Sequence, residues 1–449
     1  MNWIARRPNK AAWPTYLLAA AGLVLLGCSA DPAPLSEPRS PSAPAPESET
    51  TPGSAPASTA SALTYDVHYT VRLNANDTTA TVTLALSQPS ALLRELSFDV
   101  QSCDQLIGGD GTHDCEALRV TWSPPASGGE LTWTVPLEHR RSQSGFDALI
   151  TERWGVFRGE DIIPRARTRT LRGAASATRL AFDLPAEWSV VTPYPSHDGV
   201  FIVDHKDRRL DEPRGWMIVG ELGVRRESIA GVQVAVAAPQ GADVRRLDTL
   251  ALLNWGIPEI ANFVVDMPDR ITVISAADPM WRGGLSAPQS LYIHADRPMI
   301  SENGSSTLLH EIMHVALGIR GRDGYDWIVE GIAEFYSIEL LRRSGTITER
   351  RYERAMQRQQ SWSKDADILC RTTSKGATTA LAVTVFAELD QQIREATDHN
   401  VTLDDVTAQL ADTSKVVDLA QLRAVVRNLA GTDLDALADD NLAGCNSYD

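Results

Sequence analysis

The period of the hydrophobic pattern changes once along this chain, near residue 242, and no other feature constrains its fold as strongly. Ahead of that point Thr64–Leu73, Ala80–Leu86, Leu131–Val135, Arg179–Leu184 and Val232–Ala237 alternate apolar and polar residues, with turn-forming Gly, Pro and Asp between them. Alternation at period two gives each segment one apolar face, as strands packed face to face require. Beyond it the period lengthens. Leu250–Val265 is helix-like, Arg270–Ser275 reads as a strand, and helical stretches follow over 305–318, 326–344, 349–361, 376–397 and 416–430. The pattern predicts an α+β protein: a β-sandwich domain over 63–241, then a mainly α-helical domain over 242–449 with a small sheet near its start. The length of 449 residues allows about two or three domains.

The first 62 residues stand outside that scheme. Arg6, Arg7 and Lys10 precede an apolar run from Tyr16 to Leu26, too short to span a bilayer but suited to a signal peptide over 1–27. The run closes on Leu25-Leu26-Gly27-Cys28, which resembles a bacterial lipobox. That resemblance implies cleavage before Cys28 and a lipid on its sulfur, and Ser29 after it favours the outer membrane. Residues 28–62 are nearly all Pro, Ser, Ala, Glu and Thr. Such a segment cannot bury enough apolar surface to offset its ordering entropy, so it reads as a tether.

The formal charge is −16. An acidic chain of this kind argues against nucleic acid or anionic lipid as a main partner, so membrane attachment is assigned to Cys28. Cys103, Cys115, Cys370 and Cys445 remain, an even number in an exported chain, which reads as disulfides although four cysteines allow three connectivities. Cys103 with Cys115 would close a short polar loop, and Cys370 with Cys445 would tie down the C-terminal tail. Four free thiols are the alternative.

The segment with the most chemistry is Ser305-Ser-Thr-Leu-Leu-His-Glu-Ile-Met-His-Val-Ala-Leu-Gly318. Ser305 or Ser306 can cap a helix whose buried face includes Leu309, Ile312, Met313 and Ala316. On that helix His310 and His314 lie one turn apart, so their imidazoles can reach one metal. Glu311 is placed to take a proton from metal-activated water. Glu330 follows His314 after fifteen intervening residues, with Gly318, Gly321 and Gly324 between to turn the chain back. Two imidazoles, one carboxylate and an open position make a catalytic zinc site holding one Zn2+. Glu334, one turn after Glu330, is the candidate partner for the other ring nitrogen of His310.

His310-Glu-Ile-Met-His314 together with Trp327-Ile-Val-Glu-Gly-Ile-Ala-Glu-Phe335 resembles the gluzincin peptidases, relatives of aminopeptidase N. Gly283-Gly-Leu-Ser-Ala-Pro-Gln-Ser290, Ser374-Lys-Gly-Ala-Thr-Thr-Ala-Leu381 and Phe182-Asp-Leu-Pro-Ala-Glu-Trp188 carry a closer likeness to the glycyl aminopeptidase family. The resemblance implies a thermolysin-like zinc domain and a peptide substrate lying against Gly283, Gly284 and Ser286. The sequence departs from that family at Ser286, where a glutamate associated with the substrate's amino group is expected, and at Thr373, where an oxyanion-stabilising tyrosine is expected. Tyr325, Tyr336 and His294 are the candidates for a replacement donor. The family's PDZ domain is not found in this chain.

These observations converge on a lipid-anchored zinc metallopeptidase of the cell envelope, with Glu311 as general base and zinc on His310, His314 and Glu330. Two alternatives stand beside it: a zinc-binding interaction module weakened in catalysis, and a lipoprotein scaffold with an accidental motif.

Overall fold

The computed structural model describes residues 63–445 apart from 76, 144, 206, 207 and 443. The segments expected as signal peptide and tether, with Cys28, lie outside the described residues. Both strands and helices are abundant, as an α+β chain requires.

Strands dominate up to residue 239. A seven-stranded sheet has Thr64–Arg72 at its centre, parallel to Ala175–Asp183 and antiparallel to Thr79–Ser87. A four-stranded sheet runs Arg167–Thr170, Leu93–Asp99, Arg119–Ser123, Thr112–Glu116, and a five-stranded one includes Gly145–Ile150, Trp154–Arg158 and Trp216–Gly220. The inward residues of all three share one apolar core, in which Phe98 and Trp133 meet at 4.9 Å between ring centroids. Within Thr64–Arg72 the odd-numbered residues Tyr65, Val67, Tyr69 and Val71 are all buried, the period-two alternation in physical form.

One boundary differs from the sequence reading. The hairpin Leu222–Ile229/Val232–Pro239 does not pair with the other early strands. It joins a mixed sheet ordered Leu222–Ile229, Val232–Pro239, Arg270–Ala276, Ser290–His294, Gly284–Ala287. Alternation along a strand shows that it has an apolar face but not which sheet that face completes. Here Val232, Val234 and Val236 pack into a core shared with the later helices, and parallel pairing with Arg270–Ala276 fixes the choice.

After a four-residue helix α1 (Gly159–Ile162), the helices are α2 (Arg246–Ala261), α3 (Thr307–Leu317), α4 (Asp326–Arg343), α5 (Glu349–Ser363), α6 (Ala377–Ala396), α7 (Leu403–Thr413) and α8 (Leu419–Ala430). The sequence reading missed α7, and it ran α8 back through Val416–Val417, which instead pair with Arg320–Gly321 as a two-stranded ribbon. Asp418 starts α8 by accepting from the Gln421 N–H. A third apolar cluster, with Trp216 against Tyr292, connects the five-stranded sheet to the mixed sheet.

Both disulfides are formed, Cys103–Cys115 and Cys370–Cys445. Among the described residues no helix is long and apolar enough to cross a membrane.

Candidate active site

Helix α3 is defined at both ends by its own sequence. The Ser306 hydroxyl accepts from the Leu309 N–H, and Gly318 closes the helix in the left-handed region at φ 58°, its N–H donating to the His314 carbonyl. Leu309, Ile312, Met313 and Ala316 are buried as the helical spacing predicts. His310 and His314 therefore emerge together on the face toward α4. The chain returns through Gly324 at φ 87°, a conformation costly for any residue with a Cβ, and α4 brings Glu330 across from them.

Three donor atoms converge. His310 Nε2 and His314 Nε2 are 3.1 Å apart, and Glu330 places Oε2 at 3.4 Å from the first and Oε1 at 3.4 Å from the second. Zinc ligands at about 2.0–2.1 Å in a tetrahedron stand roughly 3.3–3.4 Å from one another, so the donor set fits zinc with little movement. The electrostatics agree. Burial opposes charge on His310, but the hydrogen bonds its ring donates to the Glu330 and Glu334 carboxylates outweigh it and push its pKa well above the usual histidine value. Burial would raise Glu330, yet His310 and His314 hold its carboxyl far below the usual carboxylate range. Positive charge is thus stabilised where the three donors meet, which is what a cation site requires.

His310 Nδ1 lies 3.1 Å from Glu334 Oε2, a contact that leaves Nε2 free to act as donor to the metal. Glu334 Oε1 accepts from Gln359 Nε2 at 3.0 Å. The Glu311 carboxyl is buried and faces the edge strand Gly284–Ala287, where a Cβ on Gly284 would stand 2.7 Å from Glu311 Oε1. At Gly283 a Cβ would enter the Trp281 ring, so both glycines are needed for close approach. Ser286 is half-buried in the same strand, opposite Leu291.

The candidates for an oxyanion donor separate. Tyr336 is fully buried and its hydroxyl donates to Asp404 Oδ1 at 2.6 Å, so it serves the α4–α7 contact. His294 accepts the Asp296 N–H on Nδ1 and sets Nε2 3.4 Å from Asp278. Tyr325 is buried immediately before α4, and Thr373 is exposed in the loop ahead of α6. That loop is tied to α4 by the Ser374 N–H, which donates to Asp326 Oδ2 at 2.7 Å. Sequence reasoning named Glu334 but neither Gln359 nor the tie at Asp326, since no motif links them to the zinc helix.

No protein-family model matches the chain. No curated protein matches it either. Solved structures do. An aminopeptidase N family protein from Idiomarina loihiensis superposes with TM-score 0.62 at 16% identity, over 84% of this chain and 76% of that one. An M1 zinc metallopeptidase from Deinococcus radiodurans, bound to a Tyr-Ser-Ala substrate, gives 0.51 at 16% identity over 84% and 92%. Legionella pneumophila aminopeptidase A, in complex with aspartic acid, gives 0.52 at 12% identity over 85% and 49%. The chain shares its fold with these M1, aminopeptidase N type structures.

Proposed function

We propose that this protein hydrolyses peptide bonds as a zinc metallopeptidase, with His310, His314 and Glu330 holding the metal and Glu311 as general base. The observation that carries this reading is the convergence of three donors at tetrahedral spacing beside a buried carboxyl that is not one of them. Zinc, when bound, supplies a Lewis acid that polarises a carbonyl and lowers the pKa of water to about 7. Glu311 accepts the proton of the attacking water and delivers it to the leaving amine. Glu334 keeps the His310 ring in place while this happens. Gly284–Ala287 is the last strand of its sheet, an edge of the kind that pairs with an extended peptide, and Gly284 makes room for the Glu311 carboxyl beside it.

Glu311→Gln is the decisive variant. It should retain one zinc per chain and lose hydrolysis across a broad peptide panel, whereas His310→Ala, His314→Ala and Glu330→Ala should lose the metal. Full activity in Glu311→Gln removes Glu311 from the mechanism. One observation favours a second reading, a zinc-dependent peptide-binding module: Tyr336, committed to Asp404, supplies no oxyanion donor. A wild type that binds zinc and peptides but cleaves none would establish that module.

We further propose that the protein sits on the bacterial cell envelope through a lipid on Cys28, with no nucleic-acid partner. The Leu25–Cys28 run and the acidic composition support it. Palmitate labelling that persists in Cys28→Ser would exclude the anchor.

A further inference from the structure

Glu334 both holds a zinc-site histidine and is itself held, by a side chain from a helix that carries no zinc-site residue. Its Oε2 faces His310 Nδ1, and its Oε1 accepts from Gln359 Nε2 on α5. The Ser337 hydroxyl lies 3.3 Å from Oε2 but 2.8 Å from the backbone carbonyl of Glu334. A hydroxyl has one proton, and the shorter contact takes it. Gln359 is therefore the donor that orients this carboxylate from outside its own helix.

Gln359 is 6% exposed. Its amide has only one workable orientation, because turning it over would set its oxygen against a carboxylate oxygen, two acceptors in contact. In the workable orientation Gln359 Oε1 has no hydrogen-bond partner among the described residues. A buried carbonyl without a partner destabilises a core, so an apolar residue of the same volume would suit folding better. The position gains from glutamine only through its N–H.

We infer that Gln359 is a positioning residue of the zinc site. Its amide orients Glu334, Glu334 orients the His310 ring with the proton on Nδ1, and His310 Nε2 is thereby aimed at the metal. The inference rests on the zinc reading given above. Outer partners of a ligand imidazole typically change metal affinity by about 10–100-fold.

Gln359→Met tests it, since methionine keeps length and volume while deleting both the donor and the unpartnered carbonyl. Zinc affinity, measured by competition with a chelator, should weaken by up to about tenfold, the lower end for loss of a ligand's direct partner, because Gln359 stands one hydrogen bond further out. In the metal-free protein the lost hydrogen bond to the Glu334 carboxylate and the removed unpartnered carbonyl act in opposite directions, so the melting temperature should stay close to that of the wild type. In a Glu334→Ala background Gln359→Met should have no further effect on zinc affinity, because its influence passes through Glu334. Zinc affinity within twofold of wild type in Gln359→Met overturns the inference. So does a lowered melting temperature of the metal-free protein with unchanged affinity, the signature of a merely structural glutamine, or an additive effect in the double variant. A wild type that binds no zinc removes the underlying reading and this one with it.

Discussion

Gly284 and Glu311 approach so closely that the glycine's missing Cβ would stand 2.7 Å from Glu311 Oε1 and 2.8 Å from its Cγ. The edge strand and the proposed general base therefore share one space. In Gly284→Ala the carboxyl must move, because it is the free end of a side chain whereas the strand is hydrogen-bonded to Ser290–His294. Displacement of about 1 Å can lower rates about 10²-fold. The expected result is a loss of that order in kcat/KM with zinc content unchanged. Loss of zinc would show that the strand supports the metal ligands instead.

Tyr336→Phe should separate fold from chemistry. Its hydroxyl donates to Asp404, which Arg343 also holds through both of its oxygens. Deleting a hydrogen bond to a charged group costs about 1.5–3 kcal/mol, and the remaining Arg343 contacts favour the lower end. Denaturant unfolding should show that loss while kcat/KM stays at the wild-type value. A hundredfold drop in kcat would make Tyr336 an oxyanion donor after all.

Gly331 follows Glu330 directly and lets α4 sit close to α6. A Cβ there would stand 2.6 Å from the Ala382 Cβ and 2.8 Å from the Phe386 ring. Ala382 cannot swing aside, so the helices must part. Overpacking costs about 1–3 kcal/mol, against about 1 kcal/mol gained from alanine's helix propensity. Gly331→Ala should therefore lose about 1 kcal/mol of stability and weaken zinc binding as Glu330 shifts, both readable by thermal melts with and without metal.

The two disulfides should differ in worth. Cys370–Cys445 closes a sequence separation of 75 and Cys103–Cys115 one of 12. Loop-closure entropy assigns them about 4.5 and about 3 kcal/mol. Removing Cys370–Cys445 by a Ser pair should lower the denaturation midpoint more than removing the other. Equal losses would mean that residual structure in the unfolded chain dominates.

Ser286 bears on which end of a peptide is read. An aminopeptidase must compensate the substrate's ammonium in a partly desolvated cleft, and a hydroxyl does this less well than a carboxylate. Acetylating the substrate's amino terminus should weaken kcat/KM by less than about tenfold, and Ser286→Glu should shift preference to free termini. A wild-type preference above about a hundredfold would show that another acid holds the ammonium.

What the sequence determined by itself is local. A spacing of four puts His310 and His314 on one face of a helix, a serine at 305 or 306 starts that helix, and alternation at period two makes Thr64–Arg72 bury every second residue. These follow from backbone geometry over a few residues, and they need no knowledge of what lies opposite. Tertiary structure decided the rest. An alternating pattern could not tell Val232–Pro239 which sheet to join, because each apolar face looks alike until a partner strand is chosen. Nor could it show that Tyr336 turns to Asp404, that Gly284 gives room to Glu311, or that Gln359 on α5 reaches Glu334. Each of those contacts joins segments far apart in the chain, and the energy that selects them comes from burying and hydrogen-bonding particular atoms against one another, which exists only once the helices and sheets have packed.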